Sequence, residues 1–319
     1  MEKKKVVVFG GGNGTASTLA ALKKYTDVFD IAAVVSMSDS GGSSGRLRQE
    51  FHTLPPGDVM RAILALSPFE YDGFLKEIFY KKRFDDLGNL SGHNLGNLFL
   101  TLAQQYSGSY ISAIRALEQA VGARGQVFPA TLEQTDLVGE LSAGEIIVGE
   151  HALDRPDYDR SLRVARVWLQ PKSALAYPAA MRVVETADVL LFGPGSLYCS
   201  VIASLLPVGI FDAIKRSKAR LVYLAGNKYE TTGETGPTIL SEFVKELERY
   251  LPRKLDTIIF NQFQPTEQQK EYHDDQKLEQ VVFDKENLAG YTIVAEAFEH
   301  ETGGVDSEKL GKILFTLFG

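Results

Sequence analysis

The stretch Ser36 to Arg48 reads SMSDSGGSSGRLR and directly follows an apolar run, Ile31 to Val35. The apolar run predicts a buried β-strand, so the polar stretch is expected at the carboxyl end of that strand. Its glycines allow backbone N–H groups to turn towards a ligand, and its serines add hydrogen-bond donors. Its arginines can bind phosphate oxygens through paired hydrogen bonds. The stretch therefore predicts a loop that binds an anion, in preference to a solvated serine-glycine loop.

An earlier apolar run begins the same structural unit. Val6 to Phe9 predicts a first strand, which is followed by a glycine turn from Gly10 to Thr15. Ala16 to Lys24 has helical spacing, and Thr15 is the expected cap of that helix. A strand, a helix and a second strand in this order form a right-handed βαβ unit, which is the beginning of a parallel sheet.

Alternation of strands and helices continues along the chain. Further strands are predicted at 189–192, 221–224 and 257–260, and short β segments at 126–150 and 163–169 predict an antiparallel excursion. Helices are predicted at 58–66, 73–80, 94–105, 110–121, 238–250 and 307–318. The expected fold class is α/β: a Rossmann-like parallel sheet with flanking helices and a small antiparallel β excursion in the middle. We expect one continuous domain over residues 1–319.

Composition restricts the class of protein. The chain has 34 basic and 41 acidic side chains, a formal charge of −7, which argues against general nucleic-acid binding. Cys199 is the only cysteine, so no internal disulfide is possible and a reducing compartment is expected. The amino-terminal residues lack the apolar stretch of a signal peptide, and no segment has the roughly 20 apolar residues that a membrane span needs. A cytoplasmic location without membrane insertion is expected.

Polar clusters follow several of the predicted strands. Because ligands bind outside the carboxyl ends of strands in open parallel sheets, these clusters are expected to form one site. The candidate ligand-binding residues are Gly11, Gly12, Asn13, Gly14, Thr15, Ser38, Asp39, Gly42, Ser43, Ser44, Arg46, Asp58, His93, Asn94, Asn97, Gly193, Gly195, Ser196 and Asn227.

The carboxylates and the first glycine turn allow more than one interpretation. Asp39 is a candidate ligand of Mg²⁺, a partner for a ribose hydroxyl, or a turn cap. Asp58 is either a helix-start residue or a second oxygen ligand, and Arg61 either pairs with it or reaches a phosphate. Gly10 to Thr15 presents N–H groups to a phosphate. It does not match the dinucleotide fingerprint, because Ser36 stands where an acidic residue would bind a ribose.

The remaining motifs also have a structural alternative. His93 is a general base or a cap, and Asn94 and Asn97 lie one helical turn apart, where they could read a base edge or a sugar hydroxyl. Ser196 is the expected cap of a following helix and does not fit a G-x-S-x-G nucleophile elbow. Cys199 is expected to pack in the core, and a zinc site is not expected without histidine or cysteine clusters.

Several motifs carry a family resemblance. They are GGGNGT at 10–15, SDSGGSSGRLR at 38–48, PPGD at 55–58, GHNLGN at 92–97, FPAT at 128–131, GPGSLY at 193–198 and GET at 233–235. In this order they resemble the gluconeogenesis-factor family (YvcK-like proteins), within the 2-phospho-L-lactate transferase (CofD-like) superfamily. The resemblance implies a Rossmann-like fold that binds UDP-activated sugars and supports cell-wall synthesis and cell shape. In the transferase branch it implies Mg²⁺-dependent transfer of phospholactate from a guanosine diphosphate-type donor to a deazaflavin alcohol.

Three functional hypotheses follow. The first is a regulatory protein that binds a nucleotide sugar and to which no catalysis is assigned. The resemblance implies that such a protein can form a homo-oligomer. The second is a transferase in which Asp39 and Asp58 hold Mg²⁺ on a diphosphate donor. The third is a binder of an NAD-type dinucleotide, which is indicated only by the opening βαβ unit.

Overall fold

The computed structural model describes residues 2–69, 71–81, 83–84, 87–301 and 304–319. The strands are β1 (Lys4–Gly10), β2 (Phe29–Val35), β3 (Gln126–Pro129), β4 (Asp136–Leu141), β5 (Ile146–Val148), β6 (Val164–Gln170), β7 (Val189–Phe192), β8 (Arg220–Ala225), β9 (Lys228–Glu230), β10 (Thr257–Asn261), β11 (Leu278–Gln280) and β12 (Thr292–Glu296).

The helices flank these strands. They are α1 (Gly12–Leu22), α2 (Gly42–Phe51), α3 (Gly57–Leu66), α4 (Leu95–Ser107), α5 (Tyr110–Ala120), α6 (Glu150–Asp154), α7 (Pro178–Glu185), α8 (Ile210–Arg216), α9 (Leu240–Glu248), α10 (Glu267–Asp275) and α11 (Ser307–Phe318). Two π-helical segments, Tyr71–Lys81 and Leu197–Ile202, complete the set that bears on the site. The six helices predicted after the opening βαβ unit are each confirmed within a few residues of their expected bounds, the one at 73–80 as a π-helical segment.

The central sheet has seven parallel strands in the order β12-β10-β8-β7-β1-β2-β3. Strand β1 lies between β7 and β2, and its residues Val6 to Phe9 are at most 2% exposed. Such burial on both faces explains why the strand is a continuous apolar run without alternation. The predicted α/β fold class is therefore confirmed.

The antiparallel excursion is also confirmed, as a three-stranded sheet in the order β5-β4-β6. One β segment predicted within it lies elsewhere, because β3 pairs in parallel with β2 and forms an edge of the central sheet. The excursion matters for the site because helix α6 lies between its strands β5 and β6 along the chain. Just before α6 begins, Gly149 N donates a hydrogen bond to Leu137 O of β4 (2.8 Å), which ties the start of the helix to this sheet.

Two expectations about the opening unit are wrong. Helix α1 begins at Gly12 with Gly11 at its N-cap position, so Thr15 lies inside the helix, buried, and does not cap it. The predicted loop from Ser36 to Arg48 ends at Gly41, where helix α2 starts. A helix is favoured there because Leu47 is fully buried on one face and Arg, Leu, Gln and Glu are good helix formers.

Within the part of the chain that the structure covers, no helix has the length and apolarity to cross a membrane. The single-domain organisation over residues 1–319 stays a prediction.

Candidate ligand-binding cleft

Two adjoining cavities lie at the carboxyl ends of β1, β2, β7 and β8. The first, which we call the acidic cavity, has a volume of about 360 Å³ and is lined by Gly11, Gly12, Asn13, Gly14, Asp39, Gly41, Asp58, Arg61, Glu150, His151, Asp154, Gly195, Ser196, Ser200 and Glu230. The second, the apolar cavity, has a volume of about 320 Å³, and its walls include Leu197, Asn227, Lys228, Tyr229, Pro237, Phe243, Leu278 and Val305. Gly14, Asp154, Gly195, Ser196 and Glu230 line both, so the cavities form one cleft.

The amino terminus of α1 opens into the acidic cavity. Its N-cap residue, Gly11, has no side chain to cap the helix, and Gly12 adopts a φ of 68° that favours glycine. A Cβ on Gly14 would lie 2.2 Å from the carbonyl oxygen of Pro194, so only glycine lets the turns after β1 and β7 approach so closely. Uncapped N–H groups at a helix start form an anion-binding site.

Asp39 and Asp58 lie in the wall beside this helix start. Asp58 pairs with Arg61 (Oδ1 to Nη2, 2.8 Å) and also accepts a backbone hydrogen bond from Gly12. Burial raises the pKa of Asp58, and the neighbouring Asp39 carboxylate raises it further against the opposing effect of Arg61. Two carboxylates at one helix start are the oxygen donors that Mg²⁺ prefers, so this donor set fits a hard divalent cation.

Helix α6 brings further polar side chains into the cleft. Glu150, His151 and Asp154 line the acidic cavity, where Glu150 accepts a hydrogen bond from Ser40 N (3.3 Å) and His151 N donates to Ser40 Oγ (3.0 Å). None of these residues was a candidate from the sequence. The signal that could have found them is the spacing of Glu150 and Asp154, which places two carboxylates on one face of a short helix.

The pKa of Glu150 is raised to about 9, first by burial and then by the Asp39, Asp154 and Asp58 carboxylates. Since the folded state holds the Glu150 proton more tightly than the unfolded chain, this stabilisation is present at low pH and is lost as the pH rises towards 9. We expect Glu150→Gln to change stability little at pH 5 but to raise the free energy of unfolding at pH 8.5 by at least about 1.4 kcal/mol, the equivalent of one pKa unit.

Urea unfolding of wild type and Glu150→Gln at the two pH values measures this effect. The matched control is Glu145→Gln, at an exposed turn position, which we expect to behave as wild type at both. An equal effect of Glu150→Gln at both pH values would contradict the assignment of a retained proton to this carboxyl.

Cys199 lies near the same carboxylates. Ligand atoms of Glu150, Asp154 and Cys199 lie within 4.8 Å of one another, but the thiol is buried, and burial raises its pKa well above the ordinary value. A buried, protonated thiol is consistent with the packing role expected for Cys199.

The turn after β7 is already occupied by an internal anion. The carboxylate of Glu234 accepts hydrogen bonds from the backbone N–H groups of Leu197, Tyr198 and Cys199, at the start of the segment 197–202. Ser196 holds the N-cap position without capping the helix, because its hydroxyl lies 3.5 Å from Asp154 Oδ1. The GET motif at 233–235 therefore supplies a structural carboxylate. Ser196 occupies the N-cap position as predicted, although its side chain does not make a capping hydrogen bond.

A second group of predicted residues lies outside the cleft lining. Ser43 Oγ is 2.8 Å from His93 Nδ1 and accepts a hydrogen bond from Asn97 Nδ2 (3.0 Å). The cap of α4 is Asn94, which accepts from Asn97 N (2.8 Å), so the interpretation of His93 as the cap is wrong. Arg46 is exposed and donates to Ser91 O (2.9 Å).

The candidate residues from the sequence divide into those that line the cleft and those that do not. Gly11, Gly12, Asn13, Gly14, Asp39, Asp58, Gly195, Ser196 and Asn227 line the cleft, whereas Thr15, Ser38, Gly42, Ser43, Ser44, Arg46, His93, Asn94, Asn97 and Gly193 are outside its lining. Ser38 instead shares a buried hydrogen bond with Ser36 (3.0 Å). Sequence reasoning missed Ser200, whose hydroxyl faces Gly11 across the cleft.

The fold and the cleft together define a Rossmann-like α/β protein with a polar cleft at the carboxyl edge of a parallel sheet. A family profile described as 2-phospho-L-lactate transferase CofD matches residues 6–298. The chain is 32% identical to the gluconeogenesis factor of Bacillus subtilis over 99% of this chain and 98% of that protein. It is 36% identical to the gluconeogenesis factor of Listeria monocytogenes over 81% of this chain and 78% of that protein.

A solved structure gives the same result. The crystal structure of a UPF0052-family protein from Bacillus halodurans superposes with a TM-score of 0.88 at 33% identity, covering 99% of both chains. The chain belongs to the CofD family and, within it, to the gluconeogenesis-factor proteins.

Proposed function

We propose that this protein is a cytoplasmic regulatory protein that binds a UDP-activated sugar in the cleft. The observation that carries the proposal is the start of α1, whose N-cap residue Gly11 has no capping side chain and which opens into a cavity that continues into a second, apolar one. The diphosphate would lie at the N–H groups of Asn13 and Gly14. The base would lie in the apolar cavity beside Tyr229 and Phe243, where Lys228 is already paired with Glu299.

The charge of the acidic cavity adds a requirement for a cation. Asp39, Asp58, Asp154 and Glu230 line it beside Glu150, whose raised pKa keeps it protonated at neutral pH, against the single guanidinium of Arg61 among the described lining residues. A diphosphate would be repelled by so many carboxylates unless a divalent cation came with it. Asp39 and Asp58 would hold Mg²⁺, which would bridge the protein to the diphosphate and neutralise its charge.

Thermal unfolding with UDP-sugars, in the presence and absence of Mg²⁺, tests the proposal. A ligand at a hundred times its Kd adds about 2.7 kcal/mol of stability, which is readily measured. We expect UDP-sugars to raise the melting temperature when Mg²⁺ is present and no turnover to occur. If UDP-sugars, guanine nucleotides and NAD all leave the melting temperature unchanged, the proposal of a nucleotide ligand fails.

Arg61 and Arg46 provide a matched pair of variants. Arg61 lines the acidic cavity, where its planar fork can bind a diphosphate oxygen, and Arg46 lies against Ser91 outside it. We expect Arg61→Lys to weaken UDP-sugar binding at least tenfold, because an ammonium cannot reproduce the fork, and Arg46→Lys to bind as wild type. Isothermal titration calorimetry measures both, and weaker binding by Arg46→Lys alone would reverse the assignment.

Transfer of a phospholactate-type group from a nucleoside diphosphate donor to an alcohol acceptor is the second candidate function. The observation that favours it is the pair of carboxylates, Asp39 and Asp58, beside a phosphate-binding helix start. With Mg²⁺ present these residues would position a guanosine diphosphate-type donor, and a product formed with a deazaflavin alcohol acceptor would establish the activity. NAD-type binding is less supported, because Ser36 at the end of β2 is bonded to Ser38 and offers no ribose-binding carboxylate.

A role in gluconeogenic growth forms part of the proposal and is supported by the names of the relatives. The proposed link to cell-wall synthesis and cell shape rests on the family resemblance of the motifs alone. We expect this chain, expressed in a Bacillus subtilis strain that lacks its gluconeogenesis factor, to restore growth on gluconeogenic carbon. The Asp39→Asn variant is the control that links any rescue to the cleft.

A further inference from the structure

Behind the cleft wall lies a buried polar network, which we call the Ser43 cluster: Ser43, His93, Asn94 and Asn97. Their exposed fractions are 8%, 1%, 1% and 3%, so the cluster is sealed from solvent. Buried polar groups cost stability unless they are hydrogen-bonded, and here Asn94 Nδ2 and Asn97 Oδ1 have no partner among the residues that the structure describes. An apolar interior would be more stable, which indicates that the cluster serves a purpose other than stability.

The cluster is joined to the cleft through the start of α2. Ser43 is the second residue of that helix, and Gly41, its N-cap, donates its N–H to Asp39 Oδ1 (3.0 Å). Gly41 O in turn accepts from Gly45 N (2.9 Å). A hydrogen bond that holds Ser43 therefore also holds the Asp39–Gly41 wall of the acidic cavity.

The donors and acceptors around Ser43 are compatible with a neutral His93. Asn97 Nδ2 donates to Ser43 Oγ, which leaves the hydroxyl hydrogen of Ser43 able to donate to His93 Nδ1. In that arrangement Nδ1 carries a lone pair, and the imidazole is neutral with its proton on Nε2. A proton on Nδ1 would leave the Ser43 hydroxyl hydrogen without its acceptor.

The charged groups around the imidazole favour the neutral form. Burial lowers the pKa of His93, the Arg46 guanidinium on α2 and Arg83 before α4 lower it further, and Glu50 on α2 opposes them. Protonation therefore requires a pH below the ordinary value of 6.5. Because the unfolded chain binds this proton more readily, acidification through that range also weakens the folded state.

We propose that His93 is a positioning residue of the ligand cleft, which accepts the Ser43 hydroxyl hydrogen and thereby holds the Asp39–Gly41 wall in its binding geometry. This inference rests on the proposed function for its role in binding, but the ordering of the wall can be measured without any ligand. Loss of the Ser43–His93 hydrogen bond, by mutation or by acid, releases the start of α2.

Hydrogen–deuterium exchange of the amides at 39–45 measures that ordering directly. We expect exchange there to rise at least tenfold in Ser43→Ala and in His93→Phe. Asn places an acceptor oxygen close to the position of Nδ1, so His93→Asn should retain wild-type exchange. Peptides from the buried strand β7 report on global unfolding, and His52→Asn, at an exposed left-handed position that asparagine tolerates, is the control.

The dependence on pH separates positioning from mere packing. After correction for intrinsic rates, wild-type exchange at 39–45 should rise between pH 7.5 and pH 5, and the rise should be absent in His93→Asn. Unchanged exchange at 39–45 in both Ser43→Ala and His93→Phe, or the same pH dependence in wild type and His93→Asn, would overturn the inference.

Binding of UDP-sugar with Mg²⁺, measured by calorimetry, distinguishes the two proposals. If wild type binds, we expect Ser43→Ala to bind at least tenfold more weakly and His93→Asn to bind as wild type, and equal affinity in all three would overturn the positioning role. If wild type does not bind, the proposed function fails, and the exchange data alone decide whether His93 positions the wall.

Discussion

Replacing Glu234 with leucine is expected to lower the free energy of unfolding by about 3 kcal/mol or more. Its carboxylate accepts the N–H groups of Leu197, Tyr198 and Cys199, all at most 5% exposed. Each buried donor that loses its acceptor costs about 1–3 kcal/mol, and water can relieve only part of that cost in so enclosed a turn. Urea unfolding at pH 7.5 measures the loss.

Two further variants test the cause of this loss. Glu234→Gln retains one acceptor oxygen, so we expect a smaller loss, of about 1 kcal/mol. Glu242→Leu is the matched control, because Glu242 forms a surface ion pair with Arg163, and such pairs contribute about 0–1 kcal/mol. A loss for Glu234→Leu no larger than that for Glu242→Leu would show that the N–H groups find other acceptors.

The internal position of Glu234 explains one limit of the sequence reasoning. Glycine turns after β1 and β7 have similar composition, and composition predicts an anion at each. In the structure Asp58 accepts one N–H of the first turn, that of Gly12, whereas Glu234, from 37 residues further along the chain, accepts three of the second. Only tertiary contacts show which N–H groups of a glycine turn are taken up by a carboxylate of the protein itself.

The parallel strands were the part of the fold that could be predicted most fully from the sequence. Val6 to Phe9 and Ile31 to Val35 are continuous apolar runs because they are buried on both faces, and the strand-end rule then places Asp39 beside the turn after β1. The spacing of Glu150 and Asp154 indicates two carboxylates on one helix face but not that they line the cleft, because they reach it from an antiparallel sheet whose position depends on long-range pairing. The sequence placed the arginines of α2 in the site because a loop has no defined face, whereas the helix directs Arg46 to Ser91 O and Arg48 to the backbone carbonyls of Asp39 and Thr135, so that neither side chain lines the cleft.

Asp39→Asn is expected to abolish Mg²⁺-dependent binding of UDP-sugar while leaving the protein as stable as wild type or more so. Asparagine Oδ1 can still accept the Gly41 N–H, so the loop should keep its conformation. The variant removes a negative charge that raises the pKa of both Asp58 and Glu150, and therefore relieves repulsion inside the cavity. A neutral amide is a poor ligand for Mg²⁺, so the affinity for the Mg²⁺–nucleotide complex should fall at least a hundredfold.

The combination of lost binding and retained stability is diagnostic, because a residue kept for folding would show the reverse. Asp136→Asn is the matched control: this carboxylate pairs with Arg48 at 3.1 Å, is half exposed, and lies outside the cleft lining. We expect it to bind as wild type and to lose little stability. If Asp39→Asn instead unfolds more easily and still binds with Mg²⁺, the crowded carboxylates have a structural role, and the cation must be held elsewhere. In the free protein the carboxylates repel one another and lower its stability, and a bound cation would remove that repulsion. A cleft of this kind binds its ligand at the expense of the stability of the free protein.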